Sequence, residues 1–144
     1  MPRTLIALLL VLTVVATALA EENQLQFENV WTPEAPPGRM MAGFMEIHNP
    51  GNTSVAIVDA RADGFGYVEL HNTTMDDGVM RMRRIDSLDI APGQTLVLEP
   101  GGLHVMLIEP IQQFTAGDRI SLVLIDSDGR EYSAPSEVRP RRRQ

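Results

Sequence analysis

Pro100-Gly101-Gly102-Leu103-His104-Val105-Met106-Leu107-Ile108 is the stretch from which the fold of this chain is read. Proline holds φ near −65° and glycine tolerates left-handed backbone, so the first three residues call for a sharp turn. Beyond the turn, Leu103, Val105 and Leu107 alternate with His104 and Met106. A period of two places successive side chains on opposite faces, which predicts a β-strand with Val105 and Leu107 facing a core.

The same turn-then-strand rhythm continues outward in both directions. Ala91-Pro92-Gly93-Gln94 turns the chain into a short strand at Thr95–Leu98. Further upstream, Tyr67–Asn72 and Val79–Ile85 are predicted strands separated by a polar loop at Thr73–Gly78. Ser54–Arg61 ends near Asp63-Gly64, and Gly43–His48 stops at Asn49-Pro50-Gly51-Asn52. Gln24–Trp31 alternates until the Pro33–Pro37 segment breaks it. Downstream, Arg119–Asp126 and Arg130–Ser133 read as a closing hairpin around Ser127-Asp128-Gly129. Many short strands with turn residues between them predict an all-β domain, a Greek-key β-sandwich or barrel. No stretch keeps a helical period long enough to compete.

The ends of the chain differ from this body. Arg3 precedes an apolar run from Leu5 to Leu19, and Ala18-Leu19-Ala20 supplies the small-x-small pattern of a signal-peptidase site. The run is shorter than the ~20 residues of a spanning helix, so residues 1–20 are predicted to be a cleaved export signal rather than a membrane anchor. Lipidation is excluded because the chain has no cysteine. Residues 21–138 then form one domain, and 139–144, Arg139-Pro140-Arg141-Arg142-Arg143-Gln144, a basic solvated tail. The formal charge of −7 becomes −8 without Arg3. An acidic domain with no basic face argues against nucleic-acid binding.

Export and the absence of cysteine bear jointly on chemistry. In an oxidising compartment a soft-metal site lacking thiols has to be built from thioether and imidazole. The chain holds three histidines and eight methionines, of which only Met1 lies in the export signal. On a strand, His104 and Met106 project from one face about 6.5–7 Å apart. Val79-Met80-Arg81-Met82-Arg83 repeats the arrangement with two thioethers. Around His71, Val68 and Leu70 take one face, and Tyr67, Glu69 and His71 the other. Any one of these residues alone reads as packing or surface; as a set in neighbouring strands they point to a metal.

The spacing is His71, ten residues, Met82, twenty-one residues, His104, one residue, Met106. It resembles the His-x10-Met-x21-His-x-Met signature of the PCu(A)C family of periplasmic copper chaperones. The flanks are similar too: Val68-Glu69-Leu70-His71, Gly78-Val79-Met80-Arg81-Met82, Ala91-Pro92-Gly93 and Pro100–Leu107. The resemblance spans about Gly43 to Asp126. It implies a cupredoxin-like sandwich, a periplasmic location, and one Cu(I) held by His71, Met82, His104 and Met106. It also implies delivery to a recipient, cytochrome c oxidase or a second copper chaperone. Met75 and Met80 lie near the motif without belonging to it; they read as loop and rim packing, with an auxiliary relay ligand during transfer as the functional alternative. Met40, Met41, Met45 and His48 form a second cluster, read as surface and edge residues, with a weak second copper site as the minor alternative.

A neutral two-histidine, two-methionine set suits Cu(I) and disfavours Cu(II), which fits a carrier better than an electron-transfer centre. Three other readings stay open at this level: a periplasmic copper buffer, a metal-free interaction module and an enzyme. The enzyme ranks last, because no nucleophile–base arrangement stands out.

Overall fold

The computed structural model describes residues 24–141. The export signal predicted at 1–20 and the end of the arginine tail at 142–144 lie outside the described residues. Twelve strands follow one another in chain order: β1 (Gln26–Pro33), β2 (Met41–His48), β3 (Val55–Ala62), β4 (Phe65–Asp76), β5 (Val79–Arg84), β6 (Leu88–Ile90), β7 (Thr95–Leu98), β8 (Leu103–Pro110), β9 (Arg119–Ile120), β10 (Leu122–Asp126), β11 (Glu131–Ser133) and β12 (Ser136–Arg139). None of the described residues forms a helix long and apolar enough to cross a membrane.

The strands make two sheets. The larger runs β5-β4-β8-β2-β1-β12-β9, with β7 also pairing with β2; the smaller runs β11-β10-β3-β6. The order β4-β8-β2 brings together strands far apart in sequence, as Greek-key connections do. One buried cluster lies between the sheets, with Met45, Ile47, Val105 and Leu107 from the larger and Ile57, Leu88, Leu122 and Leu124 from the smaller. Each fully buried aliphatic side chain contributes about 1.5–3 kcal/mol relative to exposure, so a domain of this size is held without cysteine. The expected all-β, cupredoxin-like sandwich is the observed one; the two sheets do not close into a barrel.

The differences from the sequence reading have local causes. Thr73–Gly78, expected as a loop, is mostly strand: Thr73, Thr74, Met75 and Asp76 pair with Met82, Arg81, Met80 and Val79. Only Asp77 and Gly78 turn, both at positive φ (50° and 78°), the two-residue geometry that favours an Asp-Gly pair. Arg119–Asp126 is two strands, since β9 pairs with β12 in one sheet and β10 with β3 in the other. Leu88–Ile90 and Ser136–Arg139 are strands the sequence reading did not mark. Arg139, assigned there to the tail, closes β12 opposite Pro33. Met41 and Met45, read as surface or edge residues, are buried in the core.

Candidate metal centre

The pairing of β4 with β8 builds the site. Its register sets Glu69 opposite Met106 and His71 opposite His104, so all four side chains share one face of the larger sheet, away from the core. The two imidazole rings lie 5.7 Å apart between centroids. They belong to residues 33 positions apart, which only the sheet brings together.

Each ring is held by a hydrogen bond that leaves its other nitrogen free. His71 Nε2 donates to Glu69 Oε2 at 2.7 Å, and His104 Nδ1 donates to the Gly102 carbonyl at 3.0 Å. Neither acceptor can donate in return, so the lone pairs of the neutral rings sit on His71 Nδ1 and His104 Nε2. Both atoms are buried and unpartnered, and they are the only such side-chain nitrogen or oxygen atoms among the described residues. A buried polar atom without a partner costs about 1–3 kcal/mol. Two of them on neighbouring rings mark a place shaped for something that accepts two nitrogen lone pairs.

The neutral state of His104 is reinforced by its surroundings. Burial holds its pKa below the usual imidazole range, helped by repulsion from His71 and only partly offset by the hydrogen bond to Gly102. An imidazole kept unprotonated is competent as a metal ligand.

The four residues singled out by sequence are not equally placed. His104 and Met106 are buried (3% and 6% exposed), because the outer face of β8 is also covered. Phe44 on β2 stands 6.3 Å from the His104 ring, and Trp31 on β1 stands 5.0 Å from Phe44. The site has an open rim on one side only. It is formed by β5, the edge strand, where Met82 is 52% exposed. Met82 lies opposite Thr73, and Arg84 opposite His71, so Met82 is offset from His71 by two residues on the same face. His71, His104 and Met106 therefore form a sheltered group, and Met82 stands at its open edge.

Glu69 and the Gly102 carbonyl were not identified as functional from sequence. Glu69 carried a usable signal, since it precedes His71 by two residues on the same strand face. The Gly102 contact depends on the turn before β8 and carried none. His48, in the second cluster, bonds Thr95 Oγ1 through Nδ1 at 3.0 Å. No group of three or more His, Cys, Asp or Glu side chains among the described residues is arranged to hold a metal; beside the two imidazoles the sheet register places the thioethers of Met106 and Met82.

A model of the family described as "Putative lipoprotein LpqE-like" matches residues 25–138. The chain belongs to this LpqE-like family, a branch of PCuAC. PCuAC members are copper-binding chaperones rather than enzymes. A relative described as "Putative lipoprotein Lxx21020", from Leifsonia xyli subsp. xyli, is 33% identical over 135 residues, covering 88% of this chain and 81% of its own. The PCuAC fold is shared with the apo PCuAC domain from PmoF1, at TM-score 0.69 and 20% identity, over 84% of this chain and 98% of that one. It is also shared with DR1885 of Deinococcus radiodurans, solved in solution with Cu(I), at TM-score 0.65 and 25% identity, over 86% of this chain and 83% of that one. This chain has no cysteine to carry a lipid.

Proposed function

We propose that this protein is an exported copper carrier that binds one Cu(I) through His71, Met82, His104 and Met106 and passes it to a recipient protein. The observation that carries the reading is the pair of buried, unpartnered nitrogens, His71 Nδ1 and His104 Nε2, on register-paired residues. Met106 stands beside His104 on the same face, and Met82 at the open edge. Thioether and imidazole together select Cu(I), and a neutral donor set leaves the bound ion its single positive charge. The Cu(I)-bound DR1885, at 25% identity, supports the oxidation state. The apolar run before Ala20 and the lipoprotein names of the relatives support export to the periplasm. Assembly of a copper centre in cytochrome c oxidase is the delivery role we assign, with the oxidase or a second chaperone as recipient.

One exposed and three sheltered ligands suit transfer. A recipient donor can reach the ion from the β5 edge, displace Met82 first, and leave the sheltered ligands to dissociate in turn. Titration of the exported chain with Cu(I) against a chromophoric competitor tests the site. One tight equivalent is expected, lost in a Met82→Ala/Met106→Ala variant that circular dichroism shows to be folded. A folded wild type that fails to compete sinks the proposal. A deletion strain tests the purpose: loss of oxidase activity at low copper supports delivery, whereas copper sensitivity alone supports buffering.

A further inference from the structure

The hairpin of β4 and β5 extends past the end of β8. Pairing of β4 with β8 runs from Phe65 to Asn72, whereas pairing with β5 continues to Asp76. The projecting part carries a two-sided pattern. On one side lie Thr74, Asp76 and Arg81, with Arg81 3.6 Å from the Asp76 carboxylate. On the other lie Met75 and Met80, directly opposite each other in the register, with Met82 two residues along. Strand alternation makes this methionine side continuous with the face that bears His71 and His104.

These methionines pack no core. Met75 and Met80 are each 63% exposed and Met82 is 52% exposed. A residue used as filler would be covered, and a solvated hairpin needing only polarity would not carry three thioethers. Directly opposed residues hold their Cβ atoms about 4.5–5.5 Å apart, and the long, flexible methionine arm brings both sulfurs to a common point. A neutral pair of soft donors in water selects soft monovalent cations over hard ions.

We infer that Met75 and Met80 form a second, outer Cu(I) site through which the ion enters and leaves, with Met82 as the step between it and the His71–His104 pair. This inference rests on the function proposed above. Met75 and His71 are four residues apart, about 13 Å along the strand, too far for one ion to bridge. Met82 divides that span into two steps of about 6.6 Å. At each step one thioether or imidazole replaces another. The ion remains Cu(I), so no electron moves and no proton is required.

The test uses the exported chain with 13C-labelled methionine methyls, titrated with Ag(I) as a redox-inert probe. The first equivalent should shift the Met82 and Met106 methyls, and a second, weaker equivalent those of Met75 and Met80 together. A Met75→Leu/Met80→Leu variant keeps the apolar surface and removes the sulfur. It should retain the first equivalent, lose the second, and release the first to a chelator about tenfold more slowly, the effect of a barrier raised by about 1.4 kcal/mol. The inference is overturned if the Met75 and Met80 methyls do not respond at any Ag(I) level. It is also overturned if the double variant binds the second equivalent as wild type does. Loss of the first equivalent with the Met75 and Met80 response intact would strike the carrier function and leave the outer site standing. The converse would strike the outer site alone.

Discussion

Glu69→Ala isolates the contact that aims His71. In the folded protein the Glu69 carboxylate accepts the His71 Nε2 proton at 2.7 Å, with the two side chains 22% and 14% exposed. Removal frees the ring to rotate and makes Nδ1 a weaker donor. Deleting such a supporting partner typically lowers metal affinity about 10- to 100-fold. The pair is sheltered but not sealed, and water entering the space left by alanine would accept the same proton. The lower half of that range is therefore expected, about 10- to 30-fold, or ~1.4–2 kcal/mol. Arg84 adds little: its guanidinium is 3.5 Å from Glu69 but 68% exposed. Glu69→Gln keeps an acceptor without the charge and should recover part of the loss. The assay is competitive Cu(I) titration of both variants, with thermal unfolding of the metal-free proteins to confirm the fold. If both bind within about twofold of wild type, ~0.4 kcal/mol, the sheet alone orients His71 and the argument for Glu69 fails.

The other methionine substitutions separate binding from stability. Met106→Leu conserves volume at a buried position and should cost less than about 1.5 kcal/mol of stability, while Met82→Leu at an exposed one should stay within about 0.5 kcal/mol. Both should weaken Cu(I) binding, so a variant with wild-type affinity would remove that residue from the ligand set. His104 has its folded pKa lowered by burial, so the unfolded chain takes up the proton first on acidification. Its contribution to stability is full above the ordinary value of about 6.5 and is lost as pH falls through the lower folded value. Melting temperature measured from pH 7.5 downward should thus decline more steeply in wild type than in His104→Gln; equal slopes would contradict the assignment. In the β10–β11 hairpin, Asp126 accepts hydrogen bonds from the Asp128 and Arg130 amides and the Tyr132 hydroxyl at 2.8–2.9 Å. Burial raises its pKa, but the Arg130, Tyr132 and Asp128 hydrogen bonds outweigh it and hold the carboxyl below its usual range. Asp126→Ala leaves those donors unpaired and should cost about 1–3 kcal/mol in chemical denaturation without altering Cu(I) affinity.

Where sequence and structure agree, the interactions are local. The turns at Pro100-Gly101-Gly102 and Ala91-Pro92-Gly93 and the alternation along Leu103–Leu107 are properties of adjacent residues, so strand and turn were legible there. Thr74–Asp76 escaped notice because the projecting hairpin covers no core on either side. Without a buried face there is no apolar alternation to read, and the Asp77-Gly78 turn was lost in a polar run. Ser136–Arg139 escaped for a different reason. Its parallel partner is β1, about a hundred residues earlier, and no local pattern announces such a pairing.

By itself the sequence determined which donors exist, that His104 and Met106 share a strand face, and that their spacing with His71 and Met82 follows the PCu(A)C pattern. These are matters of composition and of the two-residue period, which any extended backbone imposes. Only the tertiary structure decided that His71 faces His104 and that one nitrogen of each ring is satisfied while the other is left bare. It also decided that three of the four donors are sheltered and Met82 is open to approach. Register and burial arise from contacts between distant segments, and a hydrogen-bonding deficit can be seen only once every neighbour is in place.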